Sequence, residues 1–417
     1  MTANKKEKVR LRELAKQQLE MAHSQIMDVV YKRQWNLNNA TGGTDPVVRI
    51  ETENFVHELV PDKTIQCETP LARTIERRLL FLMNHHHLTG DDRLIPKTYS
   101  LEWIVNVDPY GFPIEKDIGQ LGNKHTNSFS IRHAIDSIED DFHKLKPLAV
   151  SVDRPGTESL RAQIEDLIGD ILPVEMVGWP KGVTFLTRCL LDLISMEGLY
   201  HALYDEPDGV HRIMEYVLNN AFALMDFFEK ERIMYINNDT TDMGNSTYPM
   251  TDALPAPGYT GVPRLVDMYL RTDSQETVGV SPAMFNEFFL PYYVRLCQRG
   301  GLWYYGCCEP VHDIWESSLS KIANIRKISI SKWCDEEIMG SLLANKPMVY
   351  SRKLDALFLG GGFELDAKGL KKYIEATMRY AKECQVEFLA REIPSIYGNT
   401  AKLRDAVDII RGVAYSS

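Results

Sequence analysis

The run Trp303-Tyr304-Tyr305-Gly306-Cys307-Cys308-Glu309-Pro310 reads as a short aromatic strand that breaks at a glycine into a turn and then a helix. One connection later, Ser329-Ile330-Ser331-Lys332-Trp333-Cys334-Asp335 repeats the layout, with a thiol and a carboxylate again at the strand end. A strand, a helical interval and a second strand of the same design make a βαβ unit with parallel strands.

Working outward, the rhythm extends through the C-terminal half. Strands are expected at 174–179, 233–238, 277–280, 302–307, 326–331, 347–351 and 386–391, with Val47–Glu51 as an eighth. Helices fill 183–202, 207–231, 282–299, 310–322 and 366–384, several with clear start signals such as Ser281-Pro282. Eight such units favour a closed (β/α)8 TIM barrel in a single domain spanning 1–417. A charged amphipathic helix over 5–35 (Leu11, Leu14, Leu19, Ile26, Val29, Val30) gives an N-terminal helical extension over 1–40, and a turn at Thr41-Gly42-Gly43-Thr44 leads into the first strand. Insertions are expected at 90–170 and 240–275.

Composition bounds the function. The chain has 417 residues, 44% hydrophobic and 25% charged, with a formal net charge of -11. That balance lacks the basic face of a nucleic-acid binder. No run of roughly 20 apolar residues is present to cross a membrane. The Lys/Glu-rich start, Met1 to Glu13, lacks a secretory apolar segment, so a cytoplasmic location is expected. The seven cysteines are then expected as buried, metal-bound or catalytic thiols. Gly360-Gly361-Gly362 has neither dinucleotide-binding nor P-loop spacing.

In a barrel of this type chemistry sits beyond the C-terminal strand ends. Those positions supply Glu51, Trp179, Asn237-Asn238-Asp239, Tyr305 with Cys307, Cys308 and Glu309, then Trp333, Cys334 and Asp335, then Ser351-Arg352-Lys353, and Arg391-Glu392. Strand alternation places Tyr305, Cys307 and Glu309 on one face, although the turn at Pro310 leaves open which sulfur points inward. Cys307 or Cys308, with Glu309 and Cys334, form a candidate zinc set with an open fourth position. Cysteine also packs as a small hydrophobe, and Cys67, Cys189, Cys297 and Cys384 are read that way. Tyr305 and Asn238 join Glu309 as candidate catalytic groups. Glu51, Trp179, Trp333 and Arg352 are candidates for substrate binding. His85-His86-His87 fits a helix end better than a metal site, because consecutive helical residues diverge. His312, a helical turn beyond Pro310, stands closer to the thiols.

The segments Tyr-Gly-Cys-Cys-Glu-Pro (305–310), Ile-Ser-Ile-Ser-x-Trp-Cys-Asp (328–335) and Tyr-Ser-Arg-Lys (350–353) resemble the uroporphyrinogen decarboxylase superfamily, in particular its corrinoid-linked methyltransferase branch. The resemblance covers roughly residues 5–415 and implies a (β/α)8 methyltransferase moving a methyl group between a small methylated compound, of methoxy or methylamine type, and a corrinoid. Two departures stand out. Tyr305 occupies the place of that branch's metal-ligand His, and Arg391 or Glu392 stands where a late Cys is usual. No Asp-x-His-x-x-Gly is present, so the cobalamin-type cofactor is expected on a partner corrinoid protein; a homodimer is compatible with the sequence. Two alternatives remain: a metal-independent decarboxylase or lyase of an acidic substrate using Arg352, Lys353 and Arg391, and a non-catalytic decarboxylase-like binding protein.

Overall fold

The computed structural model describes residues 3–40, 45–120, 127–182 and 184–416. The expected turn at 41–44 lies outside them. The N-terminal extension is two helices, Lys5–Ala22 and Gln25–Asn39, not one. The break falls at His23-Ser24, where Ser24 is extended. It rotates the second helix so that Ile26 and Val29 face solvent while Met27, Val30, Gln34 and Leu37 are buried.

Eight short parallel strands organise the rest: β1 (Val47–Ile50), β2 (Tyr99–Glu102), β3 (Val174–Val177), β4 (Tyr269–Thr272), β5 (Leu302–Tyr305), β6 (Ile325–Ile330), β7 (Val349–Lys353) and β8 (Gln385–Ala390). Six of them form one parallel sheet in the order β1-β8-β7-β6-β5-β4, and β2 and β3 form a separate parallel pair. The fold is therefore mixed α/β; among the described residues the ladders do not draw a continuous eight-stranded ring. Between β2 and β3, Ile104–Asp108 pairs antiparallel with Ala149–Asp153, and Glu115–Gln120 with Asn127–Arg132.

Two expected strands are corrected. Residues 277–280 follow a 3-10 turn, Gln275–Thr277, and contain Gly279 at φ +96; the strand lies earlier, at Tyr269–Thr272. Residues 233–238 run beside β3 and β4 without a ladder. The Tyr235 amide donates to the Gly178 carbonyl, and the Asn237 side chain accepts from the Tyr269 amide and donates to its carbonyl. One side-chain amide thus does the work of two ladder bonds. Three expected helices are also split or shortened, giving Leu186–Leu193 with Met196–Asp205, Pro282–Phe288 with Leu290–Cys297, and His312–Trp315.

Alternation gives the sheet two unlike faces. Val48, Ile50, Trp303, Tyr305, Ile328, Ile330, Tyr350 and Phe388 pack into the main core with the helices. The opposite face carries Arg49, Arg271, Tyr304, Lys327, Ser351, Lys353 and Glu387. Its polar groups satisfy one another: Ser351 Oγ donates to Glu387 at 2.6 Å, Tyr304 Oη meets Ser351 Oγ at 3.1 Å, and Lys327 Nζ lies 3.2 Å from Glu387. The loop after residue 238 drops onto this face, with Thr247 Oγ1 bonded to both Lys327 and Glu387.

Candidate active site

Tyr305 belongs to the helix-facing side of β5, packed in the main core. Its ring meets Tyr293 edge-on at 6.0 Å, and its hydroxyl bonds Ser274 Oγ at 2.5 Å. Gly306, at φ +100, resets the chain. Any side chain there would be strained in φ and would bring its Cβ within 3.0 Å of Ser329 Cβ. The turn is fixed on both sides of Cys307. Its amide donates to Glu309 Oε2 at 2.8 Å, and its carbonyl accepts from Ser329 Oγ at 2.8 Å.

After this turn both thiols approach the same point, resolving the choice the sequence left open. Cys307 Sγ and Cys308 Sγ are 3.7 Å apart, and Cys308 Sγ lies 3.3 and 3.6 Å from the two oxygens of Glu392. One ligand atom from each of Cys307, Cys308 and Glu392 falls within 4.8 Å of the others. Glu392 follows β8 and sits at φ +60, a left-handed conformation rare outside glycine. Such backbone strain is retained where surrounding structure holds it.

Glu309 and Cys334 do not join that cluster among the described residues. Glu309 is buried and turned to the backbone, accepting from the amides of Cys307 and Ser274. Burial raises its pKa. Cys334 is buried against the Glu309 carbonyl, 3.7 Å away, and burial raises its pKa too. Arg352 faces the helices, donating to the Ile330 and Ser331 carbonyls and to Glu336, so it is committed to the scaffold. Asn238 braces its own loop through the Thr251 and Leu254 carbonyls.

His85 is a satisfied core histidine between Thr52 and Asp91. His312 accepts from the Asp335 amide at 3.3 Å. Trp333 is 65% exposed. Trp179 lines a cavity of about 490 Å³ together with Tyr31, Arg93, Lys181, Asp242 and Tyr248; neither Cys307 nor Cys308 lines it.

The charges around the thiols are unequal. Arg391 lies 4.0 Å from Cys307 Sγ and pairs with Glu51 at 2.5 Å. The contact with the Cys308 thiol, together with Lys353, Arg271 and Arg391, holds the Cys307 thiol well below its ordinary pKa. Cys308 is pushed up correspondingly. The two thiols titrate as a pair, and the surrounding cations favour a single negative charge on it.

The zinc expectation can be tested on these distances. With Zn–S of about 2.3 Å and Zn–O of about 2.1 Å, a tetrahedron has edges of roughly 3.8 Å between sulfurs and roughly 3.6 Å between sulfur and oxygen. The separations of 3.7 Å and of 3.3 and 3.6 Å fit. Two thiols and one carboxylate form a donor set suited to zinc that leaves a fourth position free.

Arg271 and Asp273, which act electrostatically on or with Cys307, and Ser274, whose amide donates to Glu309, were not singled out by the sequence because the strand Tyr269–Thr272 was expected elsewhere. Glu392 was legible only as an acidic residue at a strand end. No protein-family model and no curated protein matches this sequence. Among solved structures the chain is similar to a methyltransferase from Methanosarcina mazei at 10% identity, over 93% of this chain and 99% of that one, with a TM-score of 0.47.

Proposed function

We propose that the chain is a methyltransferase that moves a methyl group between a small methylated compound and the corrinoid of a partner protein, with zinc held by Cys307, Cys308 and Glu392. The observation that carries this reading is the cluster of two sulfurs and a carboxylate within 4.8 Å of one another, with the Cys307–Cys308 and Cys308–Glu392 separations near tetrahedral edge lengths. The motif resemblance of segments 305–310, 328–335 and 350–353 supports the same chemistry. A (β/α)8 ring is the reading of the fold that goes with it. The consecutive strand order, the β2–β3 pair and the side-chain bridge from Asn237 to Tyr269 all support it.

Bound zinc would act as a Lewis acid on the heteroatom that gains or loses the methyl group. The protein's own residues do the rest. Glu309 fixes the Cys307 amide, so the sulfur is preset before metal arrives. Glu51 anchors Arg391 beside Cys307, which stabilises the thiolate form. A carrier in trans needs an open, sticky rim. Trp333, Leu357, Phe363 and Tyr397, on the loops after β6, β7 and β8, are large exposed hydrophobics. Lys332–Asp355 and Asn399–Phe363 contacts tie those loops to one another. Such a patch marks a docking face.

The experiment is methyl transfer to cob(I)alamin from a panel of methoxyaromatics and methylamines, with wild type and a Cys307→Ser, Cys308→Ser double variant. Transfer from at least one donor, lost in the double variant, is expected. Transfer unaffected by removing both thiols, or none from any donor, overturns the proposal.

A further inference from the structure

We infer that the polar face beside the Cys307–Cys308 pair takes substrates carrying a carboxylate, gripped by Lys353 with Arg271 on the same face; this rests on the methyl-transfer reading only for calling the ligand a substrate. Lys353 ends the polar face of β7, is 5% exposed, and its amine has no hydrogen-bond partner. Among the described residues each other buried Lys or Arg keeps at least one partner, although Arg49 Nε and Nη1 and Arg352 Nε are unpaired. Arg49 pairs with Asp242, Arg93 with Glu53, Lys327 with Glu387 and Arg352 with Glu336, and Lys402 donates to the Gly362 carbonyl. A buried ammonium that faces the Cys307 thiol yet makes no hydrogen bond keeps all three donors free, and such a group is suited to an incoming anion.

Other unsatisfied groups lie on the same side. Arg271 reaches Asp273 at 3.5 Å, yet its Nε and Asp273 Oδ1 are both without partners. Gly244 abuts the Arg271 guanidinium, where an added Cβ would come within 3.2 Å. The next residue, Asn245, is buried, sits at φ +57, and neither atom of its amide is bonded. Arg271 lies 5.8 Å from the centre of the Tyr304 ring, and the Tyr304 hydroxyl meets Ser351, two residues before Lys353 on the same face of β7; both cations lower the pKa of Cys307. A carboxylate would offer an acceptor to the unpartnered Lys353 amine. A neutral isostere lacks the charge that offsets the ammonium. Arg352, the neighbouring cation, faces the helices and takes no part.

The test compares iodoacetate with iodoacetamide, reagents of nearly equal size, on protein freed of metal by chelation. In both, the thiolate sulfur forms a bond to the CH2 carbon as the C–I bond breaks and iodide leaves. Peptide mass spectrometry reads the rate at Cys307 and Cys308. The proposal predicts that iodoacetate reacts about tenfold faster than iodoacetamide, with saturation, and that benzoate blocks it. Lys353→Met should abolish the preference and Lys353→Arg retain it, with melting temperatures confirming that both fold. Equal or faster reaction of iodoacetamide in wild type, an unchanged preference in Lys353→Met, or failure of both reagents to reach either thiol overturns it. Because no metal is present, failure here leaves the zinc and methyl-transfer reading to its own assay.

Discussion

Replacing Lys327 with methionine isolates the ion pair at the centre of the polar face. Lys327 and Glu387 have fully buried side chains 3.2 Å apart. Lys327 also donates to Thr247 Oγ1 at 2.5 Å and to the Tyr248 carbonyl at 3.2 Å, while Glu387 accepts from Thr247 and Ser351. Methionine keeps the volume and removes the charge, leaving Glu387 buried without its cation. Breaking a buried pair from one side costs about 3–5 kcal/mol. With roughly 2.1 cal/mol/K of unfolding entropy per residue over 417 residues, that is a drop of about 3–6 °C in Tm. Adding Glu387→Gln removes the stranded charge while keeping an acceptor for Thr247 and Ser351, so it should recover about half of the loss. Scanning calorimetry on the wild type and the two variants measures this. A Lys327→Met protein melting within about 1 °C of wild type, or a double variant less stable than the single, would refute the reasoning.

Three further outcomes are expected. Glu392→Gly relieves a left-handed backbone and should raise Tm slightly, by the equivalent of about 1 kcal/mol, while weakening zinc binding in a competition titration. Glu7 accepts amides from Thr69, Asn4 and Glu68, and these bonds, Thr69 first, lower its pKa. A depressed carboxyl pKa stabilises above the unfolded value of about 4.3, and the effect is lost as pH falls through the folded value. The Tm advantage of wild type over Glu7→Gln should therefore be constant above about pH 5 and vanish in acid. Trp333→Glu should leave the melting temperature unchanged, since the side chain is mostly exposed, but raise KM for a corrinoid-bearing partner with little change in kcat.

The β5–β6–β7–β8 succession and its link to β1 were legible because each strand is an apolar or aromatic run closed by turn residues. The strand at Tyr269–Thr272 was not, because Arg271 and Thr272 break an apolar reading of a strand whose one face is polar. The segment 233–238 looked like a strand by composition, yet Asn237 turns its amide into the ladder's place. At the site, periodicity drew attention to Cys307 and Cys308 and put Tyr305, Cys307 and Glu309 on one face, an alternation that is interrupted by the positive φ of Gly306. Glu309 and Cys334 looked like ligands by residue type. Only the folded chain shows one turned to backbone amides, the other packed against a carbonyl, and Glu392 beside the thiols instead.

Elemental analysis of protein purified without a metal-binding tag tests the central claim most directly. The account predicts about one zinc per chain, lost when Cys307 and Cys308 are both replaced by serine and kept when Cys334 is. No stoichiometric zinc in the wild type, or zinc that survives loss of both thiols, would contradict it.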